Sequence, residues 1–177
     1  LPTSPSLELI GGQRHQEIQL EWLPGTECNG PEYTFQGFAE GGDSLKIPIG
    51  EEEFIWVEYR SDYGFDSHLP GNGILVLQQD LRAGEIEDNL VNSHPERAWL
   101  KVIEADGEQN MVAGTNDGEE SDVFTDGGQF GREGITIRNR DGVLVDWLAN
   151  ISYQNGTPTI GFSSIECGHP AELDLPD

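Results

Sequence analysis

The residues best equipped for chemistry lie in one acidic loop. Asn116 to Asp126 reads Asn-Asp-Gly-Glu-Glu-Ser-Asp-Val-Phe-Thr-Asp and gathers Asp117, Glu119, Glu120, Asp122 and Asp126 within ten residues. A hard cation such as calcium takes about six to eight oxygens, from carboxylates and loop carbonyls, in flexible geometry. Carboxylates this dense repel one another unless a cation or bulk water screens them. The Asp-x-Asp-x-Asp-Gly order of an EF-hand is missing, so the loop is either a calcium site of another kind or a solvated acidic connection. As a site, its expected ligands are Asp117, Glu120, Asp122 and Asp126, with Asp66 and Asp106 as outside candidates. The other acidic run, Glu51-Glu52-Glu53, precedes an apolar stretch and reads as a charged gatekeeper against aggregation.

Other chemistries find little support. His15, His68, His94 and His169 form no His-Glu-x-x-His or other close pair, and two cysteines are too few for a thiolate site, so no zinc is expected in this chain. There is no Gly-x-Ser-x-Gly elbow and no phosphate-binding loop. Carboxylates are so abundant that pairing carries no information about glycosidase-type catalysis. No residue is assigned a catalytic role. With 33 Asp and Glu against 9 Lys and Arg, the net charge is -24, which excludes ordinary nucleic-acid binding and docking on anionic lipid. No window approaches the roughly 18 apolar residues of a membrane span, so membrane insertion is not expected.

The elements that must position the loop are strands. Glu17 to Trp22 alternates with Ile18, Leu20 and Trp22 on one face, and Val143 to Tyr153 alternates with Val143, Val145, Trp147, Ala149 and Ile151 together. Phe54 to Tyr59 and Ile74 to Leu77 are nearly continuous apolar runs, the pattern of central strands covered on both sides. Tyr33 to Phe38, Ser44 to Ile49, Trp99 to Glu104, Ile135 to Arg138 and Thr159 to Phe162 complete the series. Asp141-Gly142 and Asn155-Gly156 are hairpin signals. Helix is scarce, with one short turn expected in Leu81 to Val91. The pattern predicts an all-β fold, an antiparallel β-sandwich or jelly-roll-like arrangement with a long acidic loop and little helix. Residues 1–177 read as a single domain, with a break near Gly41 to Ser44 that allows a minor unit over 1–40. Cys28 and Cys167 either close one loop of about 139 residues, a constraint of roughly 5 kcal/mol in the chain-entropy model, or remain two thiols in a reducing compartment. The start, Leu1-Pro-Thr-Ser-Pro, has neither an initiator Met nor a signal peptide, as expected of a processed product or an excised fragment.

The centre of the chain is more specific. Glu58-Tyr59-Arg60 is followed by Gly64-Phe65-Asp66, then Leu69-Pro70-Gly71-Asn72-Gly73 and the aliphatic Ile74-Leu75-Val76. Downstream come Val102-Ile103-Glu104-Ala105-Asp106-Gly107 and Asp122-Val123-Phe124. In order and spacing these blocks, over roughly Phe54 to Phe124, resemble the immune inhibitor A family of secreted zinc metallopeptidases. The family's His-x-Asp after the aliphatic strand is here Gln78-Gln79-Asp80, and residues 1–53 hold no trace of its zinc-binding helix. The resemblance therefore implies the β-rich region that accompanies the protease, without its active site. It implies a secreted, non-catalytic domain that supports the catalytic unit or holds substrate, with a peptidase catalytic domain or a protein substrate as partner and calcium stiffening the acidic loop. Glu58, Arg60 and Asp66 are expected to form a structural polar network. The alternative is a free-standing carbohydrate- or surface-binding module, which an exposed aromatic platform of Trp99, Tyr63 or Phe130 would favour. A complete enzyme with a site assembled from distant residues is the third reading.

Overall fold

The computed structural model describes residues 2–20, 28–83, 92 and 98–164. Its strands are β1 (His15–Glu17), β2 (Asn29–Thr34), β3 (Ser44–Gly50), β4 (Glu53–Arg60) and β5 (Gly73–Asp80), then β6 (Leu100–Val102), β7 (Gln129–Gly131), β8 (Ile135–Thr136), β9 (Trp147–Gln154) and β10 (Thr157–Ser164). They form two five-stranded sheets, ordered β1-β3-β4-β5-β6 and β2-β10-β9-β7-β8. The fold is an all-β sandwich. Helix among the described residues is confined to α1 (Ser4–Leu9), α2 (Asn110–Ala113) and short 3-10 turns. Of the expected turn in Leu81 to Val91, residues 84–91 lie outside the described residues.

Both sheets are mixed rather than purely antiparallel, because β1 runs parallel to β3 and β7 parallel to β8. The reason for the first is topological. Between β1 and β3 the chain places β2 in the opposite sheet, and such a crossover delivers the returning strand in the same direction, where a hairpin would reverse it. The first 40 residues thus give one strand to each sheet, with Ile18 and Phe35 in the common core. Trp22 lies outside the described residues. Between β9 and β10, Gln154 faces Thr157 and the two turn residues Asn155 and Gly156 have φ of 52° and 81°. That is the left-handed pair a two-residue type I′ hairpin requires, met by the residue types that adopt it most cheaply.

One core joins the sheets. Ile55 and Val57 of β4 and Ile74 and Val76 of β5 pack against Trp147, Ala149 and Ile151 of β9 and Ile160 and Phe162 of β10. Phe130 stacks between Phe124 and Trp147 at ring separations of 5.1 and 6.0 Å, and Trp147 meets Phe162 at 5.7 Å. Each such side chain contributes about 1.5–3 kcal/mol on burial. Val143 is exposed while Val145 is buried, because the Arg138–Leu144 bridge puts Val143 at the tip of its hairpin.

The outer face of β4 is covered too, but by polar chemistry. Arg60 donates through Nε to Glu58 at 3.1 Å and through Nη1 to Asp66 at 3.2 Å, with Nη2 also on Glu58. The second oxygen of Glu58 accepts the Ser4 amide and hydroxyl at 3.0 and 2.9 Å, which docks α1 on the sheet. All four residues are buried, and Arg60 also lies over the Phe38 ring. Removing one member of such a group strands a buried charge, at a cost of about 3–5 kcal/mol.

Tyr59 of β4 and Tyr153 of β9 meet edge to face at 6.3 Å across the sheets. Burial, with smaller repulsion from Tyr59 and Asp126, pushes the Tyr153 phenol up to about 12, against about 10 for a free tyrosine. The folded state therefore holds a proton that the unfolded chain has lost. Its stabilising effect is complete below about pH 10 and disappears between about pH 10 and 12. Denaturant melts over that range should show a falling stability whose slope is reduced in Tyr153→Phe; an unchanged slope would contradict the assignment.

Candidate metal centre

Beyond β6 the chain stays against β5, where the Ile103 amide donates to the Val76 carbonyl at 2.9 Å. The chain then turns over Ala105 and Asp106, closed by the Gly107 amide donating to the Glu104 carbonyl at 3.1 Å. Glu104 is 2% exposed. Its Oε2 and Oε1 accept the amides of Asn110 and Met111 at 2.7 and 2.9 Å, the first residues of α2. Because the residue ahead of α2, Gln109, makes no side-chain cap, Glu104 serves that helix end from a distance. Asp106 accepts the Glu108 amide at 2.9 Å and the Ser121 hydroxyl at 2.8 Å. These two bonds, the amide first, hold its carboxyl below the usual carboxylate range.

Asp122 reaches the same place from the acidic loop. It ends the 3-10 turn Glu120–Asp122, where Glu119 and Asp122 form a reciprocal capping box. Its Oδ2 accepts the Glu119 amide at 2.6 Å, and its carbonyl accepts the Ala105 amide at 3.1 Å. Asp122 is 4% exposed, and its Oδ1 is buried with no hydrogen-bond partner. Glu104, Asp106 and Asp122 each offer an oxygen within 4.8 Å of the others. Among the described residues, no Lys, Arg or His pairs with any of the three.

The remaining expected ligands are arranged around this trio. Asp106, Glu120 and Asp126 line an adjoining open groove of about 450 Å³, and Asp126 Oδ1 accepts the Tyr153 amide at 2.9 Å. Asp117 is exposed. Asp66 belongs to the Arg60 network on the outer face of β4, where its Oδ2 is buried without a partner. Cys28 is disulfide-bonded, while Cys167 lies outside the described residues. Sequence reading passed over Glu104, which is buried directly ahead of the Ala105–Asp106 turn. Compared with known proteins, the chain matches no family model, no curated protein and no solved structure.

Chemically, an all-oxygen set of three carboxylates with a desolvated, unpartnered oxygen suits a hard divalent cation, and lacks the imidazole or thiolate that zinc favours. The Asp106 shift gives a direct check. A depressed carboxyl stabilises the fold above its ordinary titration range, and the contribution is lost as pH falls through the folded value. Carbon-13 detection of the Asp106 carboxyl in metal-free protein should give a midpoint below the usual range, moving part of the way back in Ser121→Ala. A midpoint indifferent to that substitution would show that the hydroxyl contact does not form in solution.

Proposed function

We propose that this chain is a non-catalytic, calcium-stabilised β domain of, or derived from, a secreted immune inhibitor A-like metallopeptidase, supporting the catalytic unit or holding its protein substrate. The observation that carries the calcium reading is the Glu104–Asp106–Asp122 cluster with Asp122 Oδ1 buried and unpartnered. A bound cation would satisfy that oxygen and offset the mutual repulsion of the three charges. The family reading rests on the ordered blocks, and the packing gives them a shared physical purpose. A side chain on Gly71 would stand 2.9 Å from the Glu120 backbone, and one on Gly73 would stand 2.7 Å from the Phe124 carbonyl. The Leu69-Pro-Gly-x-Gly turn is therefore the surface on which Asp122-Val123-Phe124 lies. No helix among the described residues is long and apolar enough to cross a membrane.

A second reading, a carbohydrate- or surface-binding module, is favoured by Tyr63 and Phe65, which are 58% and 76% exposed on the β4–β5 connection. Trp99 and Phe130, by contrast, are buried and cannot serve as a platform. Retention on an insoluble polysaccharide, abolished by Phe65→Ser, would select this reading.

The calcium claim is tested by thermal melts in EDTA, in calcium and in magnesium at equal ionic strength. A cation that binds only the folded state raises stability by about 2.7 kcal/mol at a hundredfold excess over Kd. The expected result is a saturable rise with calcium, smaller or absent with magnesium, lost in Asp122→Asn and kept in Asp117→Asn. Equal rises with both ions in every variant would mean charge screening alone.

A further inference from the structure

Cations are scarce in this chain, yet they are not scattered. Of nine Lys and Arg, Arg82, Lys101, Arg138 and Arg140 line a single concavity of about 590 Å³. It is formed by the start of β4, the end of β5, β6 and the Arg138–Asp141 turn, and shares no residue with the acidic cluster or its groove.

Two of these cations are already neutralised. Arg140 pairs with Asp80 at 2.9 Å and with Glu53 at 3.7 Å, and Arg82 pairs with Glu51 and Glu52 at 2.6 and 2.8 Å. Glu53 is further held by Gln78 Nε2 at 2.7 Å and the Arg140 amide at 2.9 Å. The other two cations form no direct ion pair among the described residues, although the Glu53 carboxylate lies near enough to Lys101 to attract it. Arg138 gives Nη1 to the Gly142 carbonyl at 2.9 Å and no more of its guanidinium to any described group. Lys101 makes no hydrogen bond or ion pair there, although it is half-buried and burial lowers its pKa. The contrast with Lys46, which grips Glu8 at 2.7 Å and lies over the Phe54 and Trp56 rings, is informative. A partly desolvated ammonium held in no direct ion pair costs free energy that a bound anion would offset.

We propose that this concavity binds a polar ligand through a single carboxylate held by Lys101 and Arg138. Its size lies within the range of about 300–1,000 Å³ typical of small-molecule sites. Among the described lining residues only Ala98 is apolar, which favours a hydroxyl- or amide-rich ligand over a fatty or aromatic acid. With Arg82 and Arg140 already held by Glu51, Glu52, Glu53 and Asp80, Lys101 and Arg138 are the described cations left to meet an anion, which suits one carboxylate better than a phosphate dianion. Asn139, whose Oδ1 is taken by the amides of Asp141 and Val143, adds its amide NH₂ to the lining. A sugar acid and an acidic peptide side chain both present this chemistry.

The chain has only two lysines, Lys46 and Lys101, so lysine-selective carbon-13 labelling gives one reporter in the site and one outside it. The labelled protein, in EDTA at constant ionic strength, is titrated with galacturonic acid against galactose, and with acetyl-Gly-Glu-Gly-amide against its Gln analogue. A saturable shift of the Lys101 side-chain signal with at least one acid, absent with the neutral partner and absent at Lys46, is the expected result. Bound acid should also raise the Lys101 titration midpoint. Arg138→Gln, at an exposed position, should keep the melting temperature and weaken binding about tenfold. Response to galacturonic acid alone would identify the source as a sugar acid, and response to the peptide alone as an acidic peptide. No shift with either acid, equal shifts with the neutral partners, or unchanged binding in Arg138→Gln would overturn the proposal.

Discussion

Carboxylates that hold backbone amides, Glu104 and Asp122 buried and Asp106 exposed, organise the segment between the two sheets. After β6 the chain must leave one sheet and enter the other at β7, through more than twenty residues with no long helix or strand of their own. Unpaired backbone groups in such a segment are costly wherever water is excluded. Glu104 takes the two leading amides of α2, Asp106 takes the Glu108 amide, and Asp122 takes that of Glu119. For the buried Glu104 and Asp122, each bond to a charged acceptor is stronger than a neutral one, roughly 1.5–3 kcal/mol against about 1. The same carboxylates converge as a result, since each is anchored to a piece of the same fold.

Convergence creates a problem that a bound cation would solve. Glu104 and Asp122 are desolvated, so repulsion between these two is poorly screened, while Asp106 beside them is exposed to solvent. Elsewhere the protein answers the same difficulty internally: Arg60 neutralises Glu58 and Asp66, and Arg140 neutralises Glu53 and Asp80. At the Glu104 cluster no described basic side chain does so. The contrast follows from composition, because nine cations cannot serve 33 carboxylates.

Much of the fold was legible because period two leaves a direct trace. The alternation from Val145 to Ile151 is the buried face of β9, and Asn155-Gly156 is the hairpin its residue types prescribe. The parallel pairing of β1 with β3 was not legible, since it depends on where β2 crosses to the second sheet, a long-range choice with no local pattern. The double coverage of β4 was readable from its apolar run and the Glu58–Arg60–Asp66 network from those residues, yet the docking of Ser4 on Glu58 was not, because Ser4 lies far from Glu58 in sequence. At the site, Asp106 and Asp122 were visible as acidic residues near turns. Their meeting with Glu104 arises from the return of the acidic loop onto the Leu69–Gly73 turn, which composition cannot reveal.

The central claim is that one divalent ion sits among Glu104, Asp106 and Asp122. Crystals grown with millimolar calcium, and measured at a wavelength that gives an anomalous calcium signal, test it most directly. The account predicts one strong anomalous peak about 2.3–2.6 Å from oxygens of all three side chains, with Asp122 Oδ1 among them. Well-ordered density for the three carboxylates with no peak between them, or a peak held by other residues of the acidic loop, would contradict it.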